Sequence, residues 1–159
     1  MVEAAQAIEG PRGRRFLILD DNGDAAALLA VLLQLEGHEV QTADSGDEAL
    51  FRAEQFRPEV LLMDLQSFGG DALEASRRIR AQPWGTAVLI AALTGMGREM
   101  ERRRAREAGV DLHFIKPVDT ALLLAIVTRS LDSSRALSNP TLDTSWFRAP
   151  RARSPEPSR

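Results

Sequence analysis

Five residues able to do phosphate chemistry each stand at the end of an apolar run. Asp20 and Asp21 follow Phe16-Leu17-Ile18-Leu19, and Asp64 follows Val60-Leu61-Leu62-Met63. Thr94 closes the run from Ala87 to Leu93, and Lys116 the run from Leu112 to Ile115. Three carboxylates brought together repel one another unless they are protonated or bridged by a cation. An oxygen-only ligand set without His or Cys selects a hard ion, and Mg²⁺, which keeps its waters and bridges to phosphate, is the expected one. A carboxylate beside such an ion can attack a phosphoryl group and form an acyl phosphate. Lys116 would neutralise charge on the transferring oxygens, and the Thr94 hydroxyl could donate a hydrogen bond to one of them.

Each of these residues also has an ordinary explanation. An Asp pair after a strand often caps a helix, Thr-Gly often makes a turn, and Lys-Pro is a common surface pair. Their joint placement at four strand ends is what carries the chemical reading. Composition adds a second signal. Of twenty basic residues, nineteen are Arg and Lys116 is the sole Lys. A Lys kept in so Arg-rich a chain suits a site that needs a compact ammonium and cannot seat a planar guanidinium.

The elements that must position these residues alternate between apolar and amphipathic. After the first strand, Leu28, Val31, Leu32 and Leu35 recur at i, i+3, i+4, i+7, the mark of a helix stripe, stopped by Gly37. His38 to Ala43 reads as a second strand. Ser45 and Glu48 form a capping-box pattern for a helix through Phe56, and Pro58 precedes the third strand. Asp71 to Ala81 reads as a helix ended before Pro83. Met96 to Ala108 reads as a helix with a thin apolar stripe and many Arg/Glu pairs, hence the most loosely held. From Asp119 to about Leu131 a last helix carries Leu123, Leu124, Val127 and Leu131 on one face, widened by Leu122 and Ile126. Apolar strands alternating with helices predict one α/β domain, a doubly wound five-stranded parallel sheet with helices on both faces. With strand order 2-1-3-4-5, strands 1, 3, 4 and 5 are neighbours, and ligands bind at their carboxyl ends. All five side chains would then converge on one pocket.

The 159-residue chain is 44% apolar, enough for one core, and has formal net charge −3. Residues 134–159 hold five Arg against Asp143 and Glu156, a balance of +3 that leaves −6 on residues 1–133. An acidic body argues against DNA binding. The chain has no cysteine, which excludes disulfides and thiolate metal sites. No apolar run has membrane-spanning length, so no membrane partner and a cytoplasmic location are expected. Three segments result: an N-terminal extension over 1–13, the domain over 14–133, and a Pro/Ser/Arg-rich tail over 134–159 expected to be disordered. Trp146-Phe147 stands out in that tail, either as an incidental aromatic pair or as a docking motif.

At its strand ends the sequence resembles the response-regulator receiver domains of two-component signalling. The matching stretches are Leu19-Asp20-Asp21-Asn22, Leu62-Met63-Asp64-Leu65-Gln66, Ala92-Leu93-Thr94-Gly95 and Ile115-Lys116-Pro117, in the family's order and spacing. The resemblance covers about residues 14–131 and is closest to receivers fused to, or serving, hybrid histidine kinases. It implies a flavodoxin-like sheet of order 2-1-3-4-5 and Asp64 as phospho-acceptor. It also implies Mg²⁺ held by Asp21, Asp64, the Gln66 backbone carbonyl and, through water, Asp20. Thr94 and Lys116 would contact the phosphoryl group, His113 would occupy the switch position, and Lys116-Pro117 would be a cis peptide. Three positions depart from the family pattern. Phe68 and Ala72 replace a Pro and a Gly, and His113 stands where Tyr or Phe is common.

A haloacid-dehalogenase-type phosphohydrolase needs a second carboxylate two residues after its nucleophile, on the first strand. Here Gln66 holds that place on the third. A dinucleotide-binding domain needs a Gly-rich loop after the first strand, and none is present. The competing reading is a pseudo-receiver that binds a partner without being phosphorylated. The receiver reading implies a histidine kinase or histidine phosphotransfer protein as donor and an unidentified downstream protein target. It implies a monomer or phosphorylation-dependent dimer. It also implies a protein that is not an enzyme beyond taking part in its own Mg²⁺-dependent phosphorylation and dephosphorylation.

Overall fold

A computed structural model describes residues 13–68, 70–95 and 98–135. Five strands form one parallel sheet: β1 Arg15–Leu19, β2 Glu39–Ala43, β3 Val60–Asp64, β4 Leu89–Thr94 and β5 Leu112–Ile115. Their order is β2-β1-β3-β4-β5, the order expected from the sequence. The main helices between them are α1 Gly23–Leu35, α2 Gly46–Phe56, α3 Gly70–Arg80, α4 Glu99–Glu107 and α5 Thr120–Arg135. A single helical turn, Leu65–Phe68, precedes α3, and a 3₁₀ turn at Gly85–Ala87 delays β4 to Leu89. No described helix is long and apolar enough to cross a membrane. Apart from Gly13 and residues 134–135, the expected N-terminal extension and C-terminal tail lie outside the described residues, and so do residues 96–97 of the expected fourth helix.

Strand alternation sorts the core into two layers. Phe16, Ile18, Val60, Leu62, Ala91 and Leu112 pack with α1 and α5 through Ala26, Ala30, Leu33, Leu123, Ile126 and Val127. Leu17, Leu19, Leu61, Met63, Ile90 and Ala92 pack with α2, α3 and α4 through Ala49, Ala53, Ala75, Ile79 and Ala105. The apolar residues of β3, Val60 to Met63, are fully buried, as its unbroken apolar run requires of a central parallel strand. Each buried Leu or Ile contributes about 1.5–3 kcal/mol.

Helix α1 buries a different stripe from the one its periodicity suggests. Ala26, Ala30 and Leu33 face the sheet, while Leu28, Val31, Leu32 and Leu35 are exposed. Both sets satisfy helical spacing. The alanines bring the helix axis close to the sheet, and a leucine stripe in their place would hold it away. Asn22 caps the helix by accepting from the Ala25 amide at 3.1 Å, and Gly37, at φ +94°, ends it as a left-handed residue. On α5 the buried set is Leu123, Ile126, Val127 and Leu131. Leu124 is partly buried and Leu122 faces outward, so the core face is turned from that expected, with Ile126 inside.

The capping pattern at α2 is real but reaches one residue further back than the sequence motif suggests. Ser45 Oγ accepts from the Glu48 amide at 3.1 Å, and Glu48 accepts from the amide of Asp44 at 2.8 Å. That hydrogen bond holds the Glu48 carboxyl below its ordinary range. Arg80 ties α3 to two loops, donating to the carbonyls of Gly85 at 2.7 Å, Val88 at 2.6 Å and Gly109 at 2.8 Å, and to the Asp111 carboxylate at 2.5 Å.

Candidate functional site at the carboxyl edge of the sheet

The strands deliver the chemistry-bearing residues to one edge. In register, Leu19 lies beside Met63, Asp64 beside Leu93, and Thr94 beside Ile115. Asp20 therefore leaves β1 level with Asp64, and Lys116 leaves β5 just past Thr94. The Lys116 amide donates to the Thr94 carbonyl at 2.7 Å and the Asp20 amide to Ala43 at 3.1 Å, which continues the ladder one residue past each strand.

Asp64 is 5% exposed and Asp20 8%, both at the rim of the apolar layer. Burying a carboxylate is costly unless it is paired and hydrogen-bonded. Asp64 meets both conditions. Its Oδ1 accepts from the Gln66 amide at 2.9 Å, and its Oδ2 is paired with the Lys116 ammonium. Asp20 Oδ1 accepts from the Asn22 amide at 2.9 Å. Asp21 is exposed. The Lys116–Pro117 peptide is cis.

The expected convergence of three carboxylates is only partly present. Among the described residues no three His, Cys, Asp or Glu side chains are gathered as a metal-ready group. Lys116 supplies the positive charge that Asp64 faces, and Asp21 points to solvent, where its own charge is hydrated. The donor types still suit a hard cation: oxygens from Asp20, Asp21 and Asp64 with the Gln66 backbone beside them, and no nitrogen or sulfur ligand.

Thr94 is buried, 1% exposed, and belongs to the other face of the sheet from Asp64, because Asp64's register partner is Leu93. Its hydroxyl lies 3.4 Å from Glu101 Oε2 on α4. Glu101 is a site neighbour that sequence reading passed over as one of many Arg/Glu pairs. Its position seven residues after the threonine, on the next helix, was the available signal. A cavity of about 330 Å³ opens there, lined by Gln66, Arg77, Thr94, Glu101 and Arg104. A Cβ on Gly95 would come within 2.4 Å of the Gln66 amide, so glycine is what lets that side chain lie across the turn.

His113, beside Ala92 in register, is on the α4 side of the sheet and half-buried. Neither ring nitrogen has a hydrogen-bond partner among the described residues. Burial, with a smaller contribution from the Arg102 guanidinium, pushes its pKa down to about 4. The ring is therefore neutral at physiological pH. Of the two departures after Asp64, Ala72 is fully buried, and the side chain of Phe68 lies outside the described residues.

A parallel sheet of this order with an acidic pair, a buried carboxylate, a threonine and a lysine along one edge defines a receiver-type module. Residues 16–128 match the response regulator receiver domain, and the chain belongs to that family. The phosphate regulon transcriptional regulatory protein PhoB of Rhizobium meliloti is 34% identical over 117 residues, covering 74% of this chain and 52% of PhoB. The chain thus spans about half the length of PhoB. Among solved structures, the chemotaxis response regulator CheY4 of Vibrio cholerae superposes with TM-score 0.67 at 26% identity, over 74% of this chain and 98% of CheY4. A response regulator from Burkholderia pseudomallei, solved with a phosphorylated aspartic acid, a calcium ion and citrate, gives TM-score 0.66 at 27% identity. It covers 81% of this chain and 76% of that one.

Proposed function

We propose that this receiver takes a phosphoryl group on Asp64 from a histidine kinase or histidine phosphotransfer protein, and that phosphorylation changes its binding to another protein. The observation that carries the reading is the buried Asp64 carboxylate at the end of the central strand, paired with the chain's only lysine. An Asp64 oxygen forms the new P–O bond while the bond from phosphorus to the donor imidazole breaks, and the imidazole leaves with the electron pair. Lys116 stays beside the equatorial oxygens as a fixed positive charge. Asp20, Asp21, Asp64 and the Gln66 carbonyl are the groups that would hold Mg²⁺. A bound Mg²⁺ would offset the carboxylate charges and orient the phosphoryl oxygens. The phosphorylated aspartate in the Burkholderia relative supports the same chemistry.

Output is proposed to run through Thr94 and His113 to the surface of α4, β5 and α5. Helix α4 buries only Ala105 within its length, so little packing energy resists a shift. Met100, Ile115 and Leu122 expose apolar surface on those same three elements. A charge-assisted hydrogen bond from Thr94 to a phosphoryl oxygen is worth about 1.5–3 kcal/mol, enough to reverse a balanced two-state equilibrium. The chain takes part in its own phosphorylation without turning over a separate substrate, and a cytoplasmic location fits such a partner.

Incubation with acetyl phosphate and Mg²⁺ should add one phosphoryl mass that hydroxylamine removes. Asp64→Asn should abolish the addition, and stoichiometric uptake by that variant would refute the assignment.

A further inference from the structure

Helix α1 carries a second apolar stripe that the domain leaves in solvent. Leu28, Val31, Leu32 and Leu35 are 63%, 50%, 37% and 77% exposed. The stripe's Leu32 and Leu35 line a groove of about 590 Å³ between α1 and α5, with Glu36, His38, Leu124 and Arg129 also in its walls. Four large aliphatic side chains in a row on one helix form a contiguous patch of the kind that marks a contact site. The groove shares α5 with the proposed output surface but lies on the side of that helix that faces α1, and α1 plays no part in the function proposed above.

We infer that this groove is the docking site of the chain's own C-terminal segment, with Trp146 and Phe147 as its anchors. Three observations favour this occupant. The segment follows α5, the helix that forms one wall of the groove. Arg14 joins the last turns of α5 to the groove wall, with Nη2 3.0 Å from Asp132 and the backbone amide donating to His38 Nδ1 at 2.9 Å. The aromatic pair is within reach. Residues 136–145 separate α5 from Trp146 and can span roughly 33 Å when extended. The stripe from Leu28 to Leu35 is about 10 Å long. Tethering at that distance gives an effective concentration on the order of millimolar, so modest contacts are enough to fill the groove. The charges also match. Beyond Arg135 the segment has Arg148, Arg151, Arg153 and Arg159 against Asp143 and Glu156, a net positive charge opposite to that of the acidic body, whose groove holds Glu36 at the α1 wall and Arg129 at the α5 wall.

Trp146 and Phe147 would each bury about 150–250 Å² on this apolar floor. Arg148, directly after them in sequence, would then come to Glu36 at the α1 wall. A docked segment covers α1, so any other protein that uses the leucine stripe has to displace it.

The absence of cysteine makes the test direct, because Ser145→Cys creates a single attachment point for a nitroxide spin label. In the ¹⁵N-labelled 159-residue chain, the label should broaden amides of residues 28–36 and 120–129, and tenfold dilution should leave the effect unchanged. Trp146→Ala/Phe147→Ala in the same labelled chain should remove the broadening. Leu28→Glu/Leu35→Glu should do the same, and its exposed positions leave the fold intact. The inference is overturned if α1 is not broadened. It is also overturned if broadening survives loss of both aromatics, or appears only when ¹⁵N chains are mixed with labelled ¹⁴N chains, which would make the occupant a second copy.

Discussion

The hydroxyl of Thr94 lies 3.4 Å from the carboxylate of Glu101, so the residue expected to greet a phosphoryl group here faces a negative charge on α4. Phosphorylation turns the singly charged Asp64 carboxylate into an acyl phosphate of about two negative charges, which Thr94 is proposed to contact while it faces Glu101, and like charges brought together destabilise each other. Glu101→Gln removes the repulsion and keeps an acceptor. It should raise the initial rate of phosphorylation by acetyl phosphate two- to tenfold, about 0.4–1.4 kcal/mol, read by intact-protein mass spectrometry. An unchanged rate would mean that Glu101 is a bystander.

Lys116 tests whether the site needs an ammonium or only a positive charge. Lys116→Arg preserves the charge but places a wide planar fork where a compact group meets Asp64 Oδ2. Phosphoryl uptake should fall at least tenfold while the melting temperature stays within roughly 4 °C of wild type, about 1 kcal/mol for a domain this size. Wild-type uptake would assign the lysine's uniqueness to composition.

His113 makes the domain sensitive to acid. Its folded-state pKa is about 4 against an ordinary 6.5, so the folded protein refuses a proton that the unfolded chain accepts. Its contribution to stability is therefore intact above pH 6.5, falls as pH drops from 6.5 to 4, and is constant below that. With its partial exposure allowed for, the loss is roughly 1–2 kcal/mol. His113→Phe should flatten this part of the difference curve in urea titrations at pH 4 to 7. Parallel wild-type and variant curves would contradict the assignment.

Arg80 has no part in the chemistry and should matter greatly for stability. Its side chain satisfies three backbone carbonyls and Asp111, whose Oδ2 also accepts from the Ile90 amide at 3.0 Å. Arg80→Ala strands these acceptors and should cost about 3 kcal/mol, seen as a melting temperature lower by roughly 8–15 °C. Arg80→Lys should recover only part of this, because an ammonium cannot match a five-donor fork.

The strands and the ends they present were legible because parallel strands buried on both faces read as unbroken apolar runs, each ending where polarity returns. Val60 to Met63 followed by Asp64 is the clearest case. The facing of α1 was not legible. Its sequence is apolar on two sides, so spacing alone cannot choose between Ala26/Ala30/Leu33 and Leu28/Val31/Leu32/Leu35. The choice depends on how closely a helix can approach the sheet, which is a tertiary quantity. The Thr94–Glu101 contact was hidden for the same kind of reason, since it depends on where α4 lies over β4. Asp64 and Lys116, by contrast, meet across a distance that strand order alone determines.

The two members of that ion pair stand at opposite extremes of the sheet's own permanence. Asp64 ends β3, with a strand on each side, and Lys116 follows β5, which pairs with β4 alone among the described residues. Amide hydrogens of β3 should exchange with deuterium only when the whole domain opens, while those of β5 exchange through fraying of the border. The proposed phospho-acceptor is thus fixed to the slowest clock in the molecule and its counter-charge to one of the fastest. A change in the pairing at Asp64 should register first as altered deuterium uptake at Leu112 to Ile115, with β3 unchanged.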